Sequence, residues 1–332
     1  MKKILKKIIP GCLHDCYRTI KRTLKRNIGF LILGFYADNS LLIYDIFIKK
    51  KSNKFLLCRP RGGLNDTLNQ LEASCRYSLK YRRKLYIDTS RSGLWDSFEN
   101  YFILPKYIQS GKIDDIQYPA SVYPACLQND IYNYEAEWVA AKQGWKIKNG
   151  VSFLHLVLQK NHPEQYVVYE SGGGGEDSFI FLKRIKLKEN IRSHIVSKIR
   201  NIGNYAAVHI RNTDYQTDYM QYLDMICKNL KHDKIIICTD DYTVQQYGKY
   251  LFGDKLVLLT ELPDIKKPLH DEDASIDRYK INVDTITDLF VLACSDKLYI
   301  TKVKQNIFSG FGSLAMNLHK NKKVVKKLLE GR

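Results

Sequence analysis

Two short apolar runs each end in polar residues whose chemistry suits the binding of phosphate and sugar groups. Residues 205–210 run into the motif HIRNTD (209–214), and residues 234–238 run into ICTDD (237–241). The arginine of the first motif carries a planar, permanently charged fork that can bind two phosphate oxygens. The carboxylates can accept hydrogen bonds from ribose hydroxyls or from the edge of a base. These residue types indicate a nucleotide site.

The elements that would position these residues follow from the hydrophobic pattern. Both runs are rich in β-branched residues and predict strands, whereas residues 219–230 carry apolar side chains at helical spacing. A strand, a helix and a strand joined by a right-handed crossover make the two strands parallel. Ligands of such open sheets bind beyond the carboxyl ends of the strands, where both polar motifs fall.

A second strand–helix–strand unit is predicted earlier in the chain. Residues 55–58 form its first strand, the motif RGGLND (61–66) forms the turn, and residues 84–87 form its second strand. Gly62 and Gly63 allow backbone N–H groups to approach a ligand and direct a helix N-terminus at an anion. The turn fits neither the Walker pattern GxxxxGK[ST] nor GxGxxG.

The motif SGFGSLA (309–315) predicts a third turn of this kind, opening a helix over residues 313–318. Further helices are predicted over 242–251 and 284–294, and further strands over 255–259 and 298–300. The run SGGGGED (171–177) is the most flexible stretch of the sequence, and we interpret it as a surface loop in preference to a lid.

The length of 332 residues favours two domains, since single cores rarely grow beyond about 250–300 residues. The predicted fold is α/β, with two facing Rossmann-like domains built on parallel sheets. The predicted division is a basic amphipathic segment (1–50), a Rossmann-like and acceptor-side domain (51–178), a linker helix (179–202) and a nucleotide-sugar-binding Rossmann-like domain with a basic tail (203–332).

The net charge of +18 is concentrated at the two ends of the chain, and the middle is close to neutral. A nucleic-acid enzyme would carry basic residues along its body, so we expect no nucleic-acid partner. Residues 1–26 alternate apolar and basic positions at helical spacing, which favours an anionic membrane surface over a helix packed on the domain. The uncharged run 27–37 is too short to span a bilayer. We therefore expect a cytoplasmic protein bound peripherally to the membrane.

The eight cysteines include no CxxC pair, and several lie within apolar patterns. This usage is typical of reduced thiols in a reducing compartment and argues against a zinc site.

Taken together, four motifs in order resemble the fucosyltransferase superfamily, which includes the nodulation-factor and core α-1,6-fucosyltransferases and the protein O-fucosyltransferases. They are HIRNTD, ICTDD, TDLFVLACSD (287–296) and SGFGSLA, preceded by RGGLND. The resemblance covers roughly residues 54–320. It implies the GT-B arrangement of two domains, a GDP-sugar donor (usually GDP-fucose), inversion at the anomeric carbon, no metal and no further cofactor.

The resemblance also assigns candidate residues by position. The motif arginine falls on Arg211, suited to the β-phosphate and to the charge that develops as GDP leaves; the alternative is an ion pair with Asp214. His209 matches the motif histidine, which we interpret as a supporting group. Asp241 matches the nucleoside-binding turn and could equally cap a helix. The full set of predicted donor-binding residues is Gly62, Gly63, Asn65, His209, Arg211, Asp214, Thr239, Asp240, Asp241, Ser309, Phe311 and Gly312.

Three positions depart from the family pattern or stay open. Some relatives carry a catalytic glutamate in the glycine turn, and Gly62 stands at the matching position here. Asp66 and Glu72 are the nearby substitutes, and we select Asp66 as the base; the alternative is catalysis that rests mainly on stabilising an oxocarbenium-like state and the departing diphosphate. Gly312 stands where the family often has serine. Asp288 is as consistent with a polar helix face as with a site.

The leading hypothesis is a glycosyltransferase that moves fucose or a related sugar from a GDP donor to a glycan or lipid-linked glycan, in surface-polysaccharide or lipopolysaccharide synthesis. One alternative is a GT-B transferase that uses a CMP-, ADP- or UDP-linked sugar. Another is a non-catalytic protein that binds membranes or polyanions.

Overall fold

A computed structural model describes residues 48–49, 52–142, 144–155, 159–260, 262–264, 268–271, 275, 277–303 and 307–331. The predicted amphipathic helix within residues 1–26 lies outside these residues. Within them, no helix combines the length and apolar character needed to cross a bilayer.

The first half of the chain forms a five-stranded sheet. Its strands are β1 (Phe55–Pro60), β2 (Lys84–Ile87), β4 (Ile108–Ser110), β5 (Val122–Tyr123) and β8 (Tyr166–Ser171). They lie in the order β4-β2-β1-β8-β5, and all neighbours are parallel. Helix α1 (Leu64–Lys80) joins β1 to β2, as the hydrophobic pattern predicts. The antiparallel hairpin of β6 (Ala136–Val139) and β7 (Gly144–Ile147) lies in the connection before β8.

The second half forms a parallel three-stranded sheet. Its strands are β10 (Ala206–Ile210), β11 (Ile235–Thr239) and β12 (Lys297–Ile300), in the order β11-β10-β12. Its helices are α4 (Tyr219–Asn229), α5 (Tyr242–Phe252), α6 (Arg278–Cys294), α7 (Gly310–Lys320) and α8 (Lys322–Glu330). The predicted α/β fold with parallel sheets is confirmed.

One predicted element, the helix over 179–202, is wrong. The structure has α2 (Asp177–Leu182), the short strand β9 (Lys186–Leu187) and α3 (Glu189–Arg200) instead. Ile185 and Leu187 are buried while Lys186 is exposed, and this alternation fits a strand, which pairs antiparallel with β3 (Phe102–Ile103).

Two other predictions need correction. Residues 255–259 form only an isolated parallel bridge between Leu256 and Ile235, so the predicted strand is absent. Helix α7 begins three residues before the predicted start, since the Ser309 side chain accepts a hydrogen bond from the Gly312 N–H and caps the helix there.

The largest apolar cluster contains residues of both sheets. It contains Cys58 and Leu68 from the first half and Ala207, Phe290 and Leu318 from the second. Each sheet has one smaller apolar cluster on its other face. The shared cluster holds the two sheets in one fixed arrangement.

Buried polar contacts between the halves supplement this apolar cluster. The Asn282 amide, which is 3% exposed, donates to the Leu94 carbonyl and to the Tyr101 hydroxyl, both at 2.8 Å. The indole N–H of Trp95 donates to the His270 carbonyl at 2.8 Å. Since a buried donor is costly to leave unpaired, these bonds favour one orientation of the halves.

A buried ion pair fastens α1 to the segment after α2. Two guanidinium nitrogens of Arg184 donate to the Glu72 carboxylate, at 2.6 and 2.9 Å, and Arg76 donates to it as well. The side chains of Glu72 and Arg184 are 0% and 1% exposed.

We expect Glu72→Gln to destabilise the fold by about 3–5 kcal/mol, because it leaves a buried guanidinium without its carboxylate. The matched control is Glu135→Gln, which removes the exposed ion pair with Lys148 and should leave stability almost unchanged. Urea unfolding of the two variants measures the difference. Equal midpoints for both variants would contradict the assignment.

Candidate functional site

A cavity of about 960 Å³ lies between the carboxyl ends of β1 and β8 on one side and of β10 and β11 on the other. Ten of the sequence-predicted residues lie on its wall, and they come from both halves of the chain. They are Gly63, Asn65, Asp66, His209, Arg211, Asp214, Thr239, Asp240, Ser309 and Phe311. Parallel strands place these residues together because their carboxyl ends share one edge of each sheet.

Arg211 is held by two carboxylates. Its Nε and one terminal nitrogen donate to Asp214 at 2.6 and 2.8 Å, and the other terminal nitrogen lies 3.0 Å from Asp240. Burial lowers the pKa of Arg211, but the hydrogen bond to Asp214 and the charge of Asp240 outweigh this effect and raise it. The ion pair that the sequence offers as an alternative role is therefore present, and it fixes the direction of the guanidinium.

Asp240 is itself fixed by the turn after β10. It accepts hydrogen bonds from the Asn212 backbone N–H at 2.9 Å and from the Thr213 hydroxyl at 2.6 Å. Asp241 instead caps α5 by accepting from the Thr243 N–H at 2.7 Å, and it does not line the cavity. Of the two roles that the sequence allows for Asp241, the structure has the helix cap.

His209 is buried on β10 beside Phe311, with ring centroids 5.2 Å apart, and its Nδ1 has no hydrogen-bond partner among the described residues. Burial, followed by the charge of Arg211, lowers the pKa of His209 to about 3. The imidazole is therefore neutral at physiological pH.

Gly312 lies next to this imidazole. A Cβ at Gly312 would lie 2.9 Å from Ile300 and 3.2 Å from His209 Nδ1. A serine side chain at this position would require Ile300 and His209 to move.

Asn65, in the first turn of α1, is bonded to α2 and lies close to the N-terminus of α7. Its side-chain oxygen accepts from the Ser178 hydroxyl at 2.6 Å, and its buried Nδ2 has no partner among the described residues. A Cβ at Gly174 or at Gly310 would lie within 2.5 Å of this nitrogen, so a side chain at either position would displace the Asn65 amide. An unpaired buried donor aimed at a cavity wall is available to a ligand.

Asp66 lies in the same wall, with one oxygen accepting the Gly63 N–H at 3.1 Å. Burial raises the pKa of Asp66 to about 6, although the Gly63 hydrogen bond and the charge of Arg211 act in the opposite direction. The carboxylate is thus suited to accept a proton near neutral pH. Gly62 lies just outside the wall with φ of +85°, and this left-handed conformation forms the turn.

Glu72, the other candidate base from the sequence, is not in the site. Its carboxylate is fully buried between Arg76 and Arg184, as described above. Of the two candidates, only Asp66 lines the cavity.

Sequence reasoning missed two parts of the wall. The glycine run, predicted to be a surface loop, lines the cavity through Gly173–Glu176, and Gln70 Nε2 donates to the Gly173 carbonyl at 2.7 Å. Its position directly after β8 was the available signal. His270, with Nδ1 3.5 Å from an Arg211 nitrogen, lies in a stretch without any periodic pattern.

Asp288, which the sequence leaves open between a polar helix face and a site residue, is half-buried on α6 and lies in the cavity wall. Burial and the nearby charge of Asp284 raise the pKa of Asp288 to about 8. Within the described ranges, no group of three or more acidic, histidine and cysteine side chains is arranged to hold a metal ion.

The chain has the fold of solved GT-B fucosyltransferases. A NodZ alpha-1,6-fucosyltransferase co-crystallized with GDP is 18% identical with a TM-score of 0.53, covering 81% of this chain and 93% of that one. A fucosyltransferase NodZ from Bradyrhizobium is 17% identical with a TM-score of 0.54, and the match covers 81% of this chain and 94% of that one. A NodZ alpha-1,6-fucosyltransferase soaked with GDP-fucose is 16% identical with a TM-score of 0.52, and the match covers 80% of this chain and 92% of that one. The sequence matches no protein-family profile and no curated protein. The superfamily resemblance is thus confirmed for the fold.

Proposed function

We propose that this protein is a glycosyltransferase that moves fucose, or a related sugar, from a GDP-sugar to a glycan acceptor with inversion at the anomeric carbon and without a metal. The observation that carries the proposal is the fixed Arg211 guanidinium on the wall of a cavity into which the N-terminus of α7 also opens. Support comes from the fold, which is shared with a fucosyltransferase co-crystallized with GDP and with one soaked with GDP-fucose.

The diphosphate would bind between Arg211 and the first turn of α7. The first backbone N–H groups of a helix have no partner within the helix, so they suit an anion, and Gly310 and Phe311 supply this turn on the cavity wall. A phosphate must compete with Asp214 for the same guanidinium edge. Asp240 holds the opposite edge and would keep the side chain in place.

The reaction follows from these positions. An acceptor hydroxyl oxygen attacks the anomeric carbon, the bond from that carbon to the β-phosphate oxygen breaks, and GDP leaves with the bonding electrons. Arg211 stabilises the negative charge that develops on the phosphate. Asp66 takes the proton of the acceptor hydroxyl, which balances the transfer.

The direct test is nucleotide release from a panel of GDP-, UDP-, ADP- and CMP-sugars. We expect GDP release from GDP-fucose with wild type and a loss of at least about 100-fold with Arg211→Ala, since removing one transition-state donor costs about that much. Arg211→Lys should recover little, because an ammonium group lacks the planar fork. Release from another nucleotide sugar alone would favour the alternative donor class.

The matched control for this test is Arg192→Gln on α3, which removes an arginine paired with Glu189 outside the cavity and should leave release unchanged. A polyanion-binding protein without activity would instead bind nucleotides in a salt-sensitive way that survives Arg211→Ala.

The raised pKa of Asp66 predicts how the rate of sugar transfer depends on pH. A general base must be ionised, and its pKa is raised to about 6, so kcat/KM should fall about tenfold per pH unit below that value and level off above it. Asp66→Asn should lower transfer about 10²–10⁴-fold and remove this limb while GDP binding is retained. A profile of the variant that keeps the limb would exclude Asp66 as the base.

Asp288 is the carboxylate best placed to recognise guanine, because Asp240 and Asp241 are engaged within the protein. An ionised carboxylate accepts from both N1–H and the exocyclic amine of guanine. With a pKa of about 8 in the free protein, GDP affinity should rise between pH 6 and 8, and Asp288→Asn should flatten this rise. Calorimetric titration with GDP and with CDP as control measures it; equal pH dependence for both nucleotides would contradict the role.

We further propose that the acceptor is a lipid-linked or surface glycan and that residues 1–26 bind the anionic cytoplasmic face of a membrane. The charge at the chain ends supports this. Deleting residues 1–26 should abolish sedimentation with phosphatidylserine vesicles while GDP binding is retained. Unchanged sedimentation of the truncated protein would exclude this segment as the membrane contact.

A further inference from the structure

Beside the cavity, a cluster of five charged side chains lies at the carboxyl ends of β1, β2 and β8. Arg59, Arg61 and Arg91 contact two carboxylates of the described residues, Asp88 and Glu170, and the exposed Glu135, which is paired with Lys148, lies within electrostatic reach of Arg91. This arginine cluster therefore carries a surplus positive charge, and the proposed function uses none of its members.

Two of the three arginines have full partners. Arg59 Nε donates to Asp88 at 2.9 Å. Arg61 contacts one oxygen of Glu170 through two nitrogens, at 2.5 and 2.6 Å. The other Glu170 oxygen accepts from the Tyr134 hydroxyl at 2.6 Å, and the Glu170 side chain is fully buried. Both carboxylates are thus already occupied.

Arg91 is the guanidinium without its own anion. Its nearest carboxylate oxygen, on Glu170, is 3.8 Å away, beyond hydrogen-bonding distance. One terminal nitrogen donates to the Tyr134 carbonyl at 2.7 Å, while the buried Nη1 has no hydrogen-bond partner among the described residues. Burial and the charge of Arg59 lower the pKa of Arg91. The side chain is 23% exposed, so an anion from solvent can approach the guanidinium outside the buried Nη1 atom.

An aromatic surface adjoins the arginines. Arg61 stacks over Trp145 at 4.5 Å, and Trp138 lies opposite Trp145 in the β6–β7 hairpin, with ring centroids 5.9 Å apart. Trp138 is 48% exposed. Trp138 is thus connected to Arg61 through Trp145, and its exposed indole offers an apolar face to a sugar ring.

The arginine cluster is connected to the cavity wall through short stretches of chain. Arg61 is two residues before Gly63, and Arg91 is two residues before Gly93, both of which line the cavity. Gly172, whose α-carbon faces Arg61 and Trp145, directly precedes the glycine run on the wall. A molecule bound at the arginine cluster would therefore lie next to the cavity.

We propose that the arginine cluster and Trp138 bind an acidic sugar residue of the acceptor, carrying a carboxylate or a phosphate group. The inference rests on the proposed function, since the bound residue would belong to the glycan that is modified in the cavity. The anion compensates Arg91, while the sugar ring packs on Trp138. The acceptor class is thus an anionic glycan.

The test is a titration of the full-length protein, saturated with GDP to block the cavity, with glucuronic acid, glucose 6-phosphate and glucose, followed by tryptophan fluorescence and calorimetry. We expect at least one of the two acidic sugars to bind about tenfold or more tightly than glucose, and the preferred one identifies the acidic group. Arg91→Gln should abolish the preference, and Trp138→Ala should weaken binding of every sugar. Equal binding of all three sugars would overturn the proposal.

Two controls show whether the preference belongs to Arg91 and to a folded protein. Arg192→Gln should keep the preference, and Arg91→Gln should keep the wild-type GDP affinity and melting temperature. Inorganic phosphate that binds as tightly as the preferred acidic sugar, with no effect of Trp138→Ala, would reduce the site to a simple anion contact and overturn the sugar assignment. Release of GDP from GDP-fucose without any acidic-sugar preference would refute this inference alone. A preference for an acidic sugar without any release of GDP from GDP-fucose would refute the proposed function alone.

Discussion

The apolar cluster shared by the two sheets is the constraint on which the site depends. Cavity walls that come from different halves of a chain keep their spacing only if the halves are fixed relative to each other. Phe290 and Leu318 pack in the same cluster as Cys58 and Leu68, and Asn282 adds buried hydrogen bonds across the junction. Arg211 and Asp66 therefore face one cavity, even though 145 residues of sequence separate them.

The charged pairs near the cavity are of two kinds: some are almost fully buried, and others are partly exposed to the cavity. Glu72 and Arg184 are almost fully enclosed and connect secondary structure elements, so their pairing serves the fold. Arg211, Asp214 and Asp240 keep some exposure to the cavity, and their pairing can be exchanged for a ligand. The distinction explains how one region combines rigid support with an adaptable binding surface.

The sequence predicts those parts of the fold and site that depend on local pattern. The strand ends before Arg211 and Thr239 and the glycine turn before Asp66 could be located, because periodicity marks the strands and parallel topology brings their ends together. The burial of Glu72 could not be predicted from the sequence, because it depends on Arg184, which is 112 residues away. His270 and the glycine run also escaped, because loops have no period and their position follows from tertiary contacts. The short strand within 179–202 escaped because a few alternating residues resemble one helical turn.

The ion pair between Arg211 and Asp214 couples anion binding at Arg211 to the protonation of Asp214. Burial alone would raise the pKa of Asp214, and its hydrogen bond with Arg211 holds it below the ordinary range. An anion that takes the guanidinium edge from Asp214 removes that hydrogen bond, so the carboxylate regains proton affinity. By reciprocity, protonation of Asp214 at acidic pH releases Arg211 and strengthens anion binding. Anion binding at Arg211 thus favours proton uptake by Asp214, and this uptake offsets part of the negative charge that the ligand brings into the cavity.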